Sequence, residues 1–253
     1  MDLKNRVPHI ILLYWVIKIA STTLGETGAD MFSMTFNLGY AQTIGIFITI
    51  FLALLGIKLA LKGYHSIFYL LSFTASAIAG TAISDFIDRT LGWGYAWGSA
   101  FLVTLLFLIL LLWYRKEKSI NVERIYTRPA EFFYWLAFLI ANTLGTAAGD
   151  FISDNLGLGF LHGALLISGI LIIITLLHYF TKVSGTLLFW LAFVLTRPFG
   201  ATFGDLLTKS TKLGGLDIGT IGSSVFFLII LIIAVVIENK QEQLTAANEA
   251  KNR

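Results

Sequence analysis

The sequence predicts an all-α integral membrane protein: eight transmembrane helices as four parallel two-helix repeats, in two paired halves, with both termini cytoplasmic. Three observations predict it. Hydrophobic residues make up 57% of the 253-residue chain and charged residues 13%, about half the ~25% charge of an ordinary soluble domain. Apolar stretches of roughly the ~20 residues needed to cross a bilayer follow one another along the chain. A Gly and an Asp recur four times at one spacing.

Composition sets the class. A soluble chain of this size needs a polar exterior and could not hide so much apolar surface, whereas a lipid-facing exterior removes that demand. Backbone groups in lipid must be satisfied within the segment, which favours helices over open sheets. The absence of cysteine excludes disulfides and thiolate metal sites. The net charge of +3 is small, and the basic residues stand between apolar segments, a placement that suits membrane orientation rather than nucleic-acid binding. The expected setting is therefore the cell membrane, multi-pass, with the lipid bilayer and a small ion or small molecule as partners. Met1–Arg6 has the basic flank of a signal peptide. The apolar run after it contains Lys18 and reaches Gly25-Glu26 without a cleavage site, so it reads as a retained first span.

The spans fall at roughly 8–24, 41–61, 66–83, 93–114, 131–147, 159–180, 186–203 and 218–237. They divide the chain into a first half (1–120), a second half (121–238) and a polar cytoplasmic tail (239–253). Loops on the N-terminal side hold Lys4, Arg6, Lys58, Lys62, Arg115, Lys116, Lys118, Arg124, Arg128, Lys182, Lys240, Lys251 and Arg253. The opposite side holds Arg89, Lys209 and Lys212. The positive-inside rule then makes both termini cytoplasmic. The other face is acidic, with Glu26, Asp30, Asp85, Asp88, Asp150, Asp154, Asp205 and Asp217 at or near it.

The repeat gives the architecture. Trp15, Gly25 and Asp30 stand at the same offsets as Trp135, Gly145 and Asp150, and as Trp190, Gly200 and Asp205; the remaining copy keeps Gly80 and Asp85 but has Leu70 in place of Trp. The glycines are separated by 55, 65 and 55 residues, the mark of a duplicated unit duplicated again. Each unit holds two spans, so all four share one orientation about an axis along the membrane normal. The odd spans would bring four Gly–Asp segments to one depth around a common centre.

These Trp–Gly–Asp segments resemble a bacterial family of uncharacterised membrane-anchored proteins built from four tandem two-helix repeats. The resemblance covers nearly the whole chain; it implies the eight-helix repeat fold and no activity. Residues Gly25-Glu26-Thr27-Gly28-Ala29-Asp30 are also faintly similar to the Glu-x-Gly-Asp motif of a manganese and calcium transporter family. Here Ala29 replaces the Gly, Met31 replaces the following basic residue, and the Glu-to-Asp spacing is one longer.

Carboxylates at a membrane boundary, beside small residues that let helices approach, are the means of building an oxygen-rich cation site. The candidate ligands are Glu26, Asp30, Asp85, Asp150 and Asp205, and a bound metal ion of unassigned identity is the one cofactor considered. Glu26–Asp30, Asp85–Asp88 and Asp150–Asp154 are three or four apart, so each pair shares a face if its helix continues. The competing reading makes each Asp a helix cap at the water interface. Glu26, whose repeat equivalents are Thr81, Thr146 and Ala201, is not imposed by the repeat. Neither is Lys18, aligned with Phe73, Phe138 and Phe193, nor Arg197, aligned with Thr22, Ala77 and Asn142. Intramembrane charges are expensive and face a bundle interior or a wet cavity. Lys18, Thr22 and Glu26 form one stripe on a helix. Pairing of Glu26 with Lys18 or Arg197 would neutralise it, and a static interhelical salt bridge is the structural alternative.

The tryptophans early in the odd spans suit an interfacial aromatic belt. Gly92, Gly94, Gly157 and Gly159 open even spans and suit tight turns, and Pro198 is expected to kink span seven. No zincin, phosphate-loop or nucleophile-elbow motif occurs, so the chain reads as a non-enzyme. The expected function is a transporter or permeation pathway for a small cation, with a divalent metal and proton coupling as the specific forms considered. Two alternatives stay open: a small-molecule or anion transporter using Lys18 and Arg197, and a non-transporting membrane module that binds lipid or a protein partner.

Overall fold

A computed structural model describes residues 12–61 and 64–251, with side chains through 240. The start of the first expected span (8–11), Lys4, Arg6, Lys62 and Arg253 lie outside the described residues, as does the Lys251 side chain. The rest forms eight long helices: α1 Leu12–Asp30, α2 Gly39–Ala60, α3 Ser66–Asp85, α4 Gly94–Glu117, α5 Arg128–Asp150, α6 Gly159–Phe180, α7 Gly185–Thr208 and α8 Thr220–Lys251. No strand occurs among the described residues. Among the described residues, seven helices are long and apolar enough to cross a membrane; α1, described from Leu12 onward, is not one of them. Lys18, Glu26 and a run of threonines and glycines make this described part polar, and its residues from Ala20 to Asp30 are all buried against neighbouring helices.

The odd helices close a ring. α1 packs on α3 and α7, and α5 packs on the same two. Outside it, each even helix lies against the odd helix of the next repeat: α2 on α3, α4 on α5, α6 on α7 and α8 on α1. The division shows in burial. In the apolar windows of α3, α5 and α7, 61–67% of residues are buried, against 22–28% in the even helices. Leu52, Phe107, Ile172 and Phe226 of the even helices point outward.

Small residues set the ring's diameter. Gly25, Gly80, Gly145 and Gly200 abut Ala77, Asn142, Arg197 and Thr22 respectively. Each partner lies three residues before the next repeat's own glycine, and Gly200 closes the circle on α1. A Cβ on Gly25 would meet the Ala77 Cβ at 2.7 Å. A ring this tight fills its own axis with side chains.

The odd helices run further than the hydropathy predicted, to Asp30, Asp85, Asp150 and Thr208 rather than 24, 83, 147 and 203, because the repeated aspartates face other helices rather than water. At Asp30, Asp85 and Asp150 the chain passes straight into five-residue π-turns, Met31–Thr35, Phe86–Thr90 and Phe151–Asn155. Asp30, Asp85 and Asp150 make no capping side-chain bond. The expected glycine turns are present, with φ of +73° and +71° at Gly92 and Gly94, and +66° and +69° at Gly157 and Gly159. The fourth repeat departs from the pattern: α7 ends at Thr208, and residues 216–218 return to donate to the carbonyls of Leu206, Lys209 and Leu207. Pro198 lies inside an uninterrupted α7, and the tail continues α8 helically to Lys251.

Two sequence expectations need correction. Trp135 and Trp190 are buried in the core rather than placed in an outer belt, while Trp15 is half-buried. Their large rings belong to the main hydrophobic core, and Trp190 Nε1 donates to the Ile120 carbonyl at 3.0 Å. Lys58 is not a loop charge: it is fully buried on α2, 3.5 Å from the equally buried Glu131 of α5.

An axial column of charged residues

Because the four odd helices are parallel and in register, repeat-equivalent residues meet in layers along the axis. The first layer, eleven residues before each glycine, holds Tyr14, Tyr69, Tyr134 and Phe189; the Tyr69 and Tyr134 hydroxyls are 2.6 Å apart. One turn on, Lys18 points at its three repeat equivalents. Its Nζ lies 3.5 Å from the Phe193 ring centroid, 4.6 Å from Phe138 and 5.1 Å from Phe73. The ammonium is 1% exposed and has no hydrogen-bond partner, so the ring faces supply its stabilisation.

The next layer is organised by Arg197, which is fully buried. Its guanidinium donates to the carbonyls of Thr22 (2.7 Å), Asn142 (3.1 Å) and Ala77 (3.3 Å), the residues holding its own place in the other repeats. It also reaches the hydroxyls of Thr146 (3.0 Å) and Thr81. Glu26 stands one layer above, 3% exposed, with Oε2 3.6 Å from Arg197 Nη1. Thr146 and Thr81 donate to the same oxygen at 3.2 and 3.3 Å. Gly204 gives Glu26 its room, since a Cβ there would lie 2.9 Å from the Glu26 Cβ.

Above Glu26 the four repeated aspartates converge, each at most 2% exposed. Two basic residues bridge them in pairs. Arg89 contacts Asp85 (3.2 Å) and Asp150 (3.0 Å), and Lys209 contacts Asp205 (3.1 Å) and Asp30 (2.6 Å). Each bridge therefore joins a repeat's own Asp, four residues back, to the Asp of the following repeat. Burial works against the charge on Lys209, but the adjacent Asp205 and Asp30 carboxylates outweigh it and leave its pKa raised. On the Lys209 side, carboxylate oxygens of Glu26, Asp30 and Asp205 all lie within 4.8 Å of one another. Three hard oxygen donors at that spacing suit a divalent cation such as Ca²⁺, Mg²⁺ or Mn²⁺.

The structure thus joins Lys18, Thr22, Arg197, Glu26, Asp30, Asp85, Asp150 and Asp205 along one axis. Lys18 does not pair with Glu26; Arg197 does. Asp88 and Asp154 are not brought in. The π-turn changes the helical register after Asp85 and Asp150, so Asp88 turns toward Ser84 (3.2 Å) and against Gly98, and Asp154 is exposed. Sequence reasoning missed Arg89 and Lys209, taken as loop charges. Their spacing of four from Asp85 and Asp205 was the available signal.

A family model described as Repeat of Unknown Function (DUF347) matches the chain four times, over residues 13–64, 68–119, 133–184 and 188–243. Each match begins twelve residues before its glycine, so the layers compare like with like. No curated protein and no solved structure matches the chain.

Proposed function

The chain belongs to the DUF347 repeat family, and from that premise we propose that it is a multi-pass membrane protein that moves a small cation along its axial column. α1 counts as the eighth span, carried inside the ring by its apolar neighbours. Both termini lie in the cytoplasm, on the side of the basic loops around Arg115–Lys118 and Lys182, and the acid ring opens on the other side. The observation that carries the reading is the charge balance of that ring: four buried aspartates face two basic side chains. Excess buried negative charge is costly unless protons or cations neutralise it. Below the ring, Glu26 shares Arg197 with two threonines, and Lys18 and Arg197 stand as fixed positive charges that hold back a cation until the column rearranges.

The test is flux in proteoliposomes across a panel of cations and anions, with Glu26→Gln and Asp150→Asn alongside the wild type. Cation flux that drops sharply in both variants supports the reading. Unchanged cation flux in Glu26→Gln and in variants of the four aspartates defeats it. Anion flux lost in Arg197→Gln would transfer the function to the anion-transport alternative.

A further inference from the structure

The two cations of the acid ring are not alike. Arg89 forks onto Asp85 and Asp150 and lies 5.9 Å from the Tyr95 ring centroid, a planar multi-point hold that suits a permanent bridge. Lys209 is a compact ammonium on a flexible stem, touching Asp30 and Asp205 as a point charge. It stands on the side where Glu26 supplies the third carboxylate. Its backbone is held: its N–H donates to the Asp205 backbone carbonyl at 2.9 Å, its carbonyl accepts from the Asp217 N–H at 3.0 Å, and Gly215 packs against it. Its side chain is 20% exposed, against 3% for either carboxylate it touches. The corresponding residues of the other repeats are Met34, Arg89 and Asp154. The side chain is therefore anchored at its base, is more exposed than the carboxylates it touches, and ends among donors suited to a metal ion.

We propose that Lys209 is a tethered competitor for the cation site, occupying the Asp30–Asp205 position and swinging outward when a divalent cation binds Glu26, Asp30 and Asp205. This rests on the cation-site reading above and adds the residue that sets its affinity and gates entry to it. A site filled most of the time by its own ammonium binds outside cations more weakly by the fraction of time it is free, so removing the competitor strengthens binding by ~10-fold if Lys209 is bound about nine-tenths of the time.

The experiment is thermal unfolding of the purified full-length protein, titrated with Mn²⁺, Ca²⁺, Mg²⁺ and, as a monovalent control, Na⁺. Wild type, Lys209→Met and Lys209→Arg are compared. The expected result is half-maximal stabilisation of Lys209→Met at ~10-fold lower divalent concentration, with no such gain in Lys209→Arg. Equal half-maximal concentrations, or weaker binding by Lys209→Met, overturn the competitor role and leave the cation site standing. Folded protein that no cation stabilises, as wild type or variant, overturns both. If Lys209→Met does not fold, wild type is compared with Lys209→Gln, which removes the ammonium and keeps all three carboxylates. The same decrease is expected for Lys209→Gln, and its absence counts against the proposal in the same way.

Discussion

Arg197 Nη1 donates a 2.7 Å hydrogen bond to the carbonyl of Thr22, the residue that holds Arg197's own position in the first repeat. The same guanidinium repeats the contact with Asn142 and Ala77, so one side chain ties the fourth repeat to the other three. A residue absent from three copies thus exploits a symmetry that all four create. The planar fork suits this task because its donors diverge in one plane across the axis.

Removing that fork leaves Glu26 as a buried carboxylate without its cation. Arg197→Met is expected to destabilise the protein by about 3–5 kcal/mol, the usual cost of breaking a buried pair from one side. Arg197→Met/Glu26→Gln should recover part of that loss. Thermal unfolding of the two single variants and the double variant checks it, and purely additive effects would mean that the 3.6 Å contact carries no coupling.

The ring glycines make a contrasting prediction about packing. Gly25→Ala places a methyl group 2.7 Å from the Ala77 Cβ, and Gly200→Ala meets the backbone of Thr22 at 2.8 Å. Each should cost about 1–3 kcal/mol as neighbouring helices are pushed apart. Gly45, Gly56 and Gly169 of the outer helices have open space around them, and alanine there should be neutral or stabilising by up to about 1 kcal/mol. Equal losses in both groups would show that the ring is looser than its contacts.

What the sequence disclosed follows from what periodicity encodes. The 55-residue step placed Gly25 and Gly80 in equivalent positions, and the four-residue step placed Lys18, Thr22 and Glu26 on one face; both relations survive in the fold. Spacing along one helix does not say which neighbour lies across the axis. Arg197 therefore emerged as a partner for Glu26, while its three carbonyl acceptors did not. Hydropathy placed span ends where charge begins, so Asp30 and Asp85 were drawn at the rim although their helices continue past them. The π-turns have no hydropathy signal, and they are what separates Asp88 from Asp85. Lys58 and Glu131, at opposite ends of two separate spans, gave no hint that the fold joins them.

Lys58 and Glu131 yield a prediction of their own. Both are fully buried at 3.5 Å, joining α2 to α5, the odd helix beyond the one α2 mainly packs on. Lys58→Met alone should destabilise by about 3–5 kcal/mol by taking this cation from Glu131, and Glu131→Leu added to it should restore part of that loss. Unfolding measured for all four combinations decides this. A double variant no more stable than either single one would assign the pair a role in folding specificity.

Lys18 supplies the reverse case, a buried charge whose removal should not weaken the fold. Its ammonium has ring faces on three sides and no hydrogen-bond partner. Cation–π attraction of about 2 kcal/mol for a desolvated site competes with an effective desolvation cost of several kcal/mol per ion. Lys18→Met keeps the length of the side chain, fills the space among Phe73, Phe138 and Phe193 with a polarisable thioether, and removes that cost. The melting temperature is therefore expected to hold or rise, while cation flux in proteoliposomes changes if the positive charge controls passage along the axis. The two measurements separate the roles. A clear fall in melting temperature would make Lys18 a structural cation, and a variant stable with unaltered flux would take it out of the transport column.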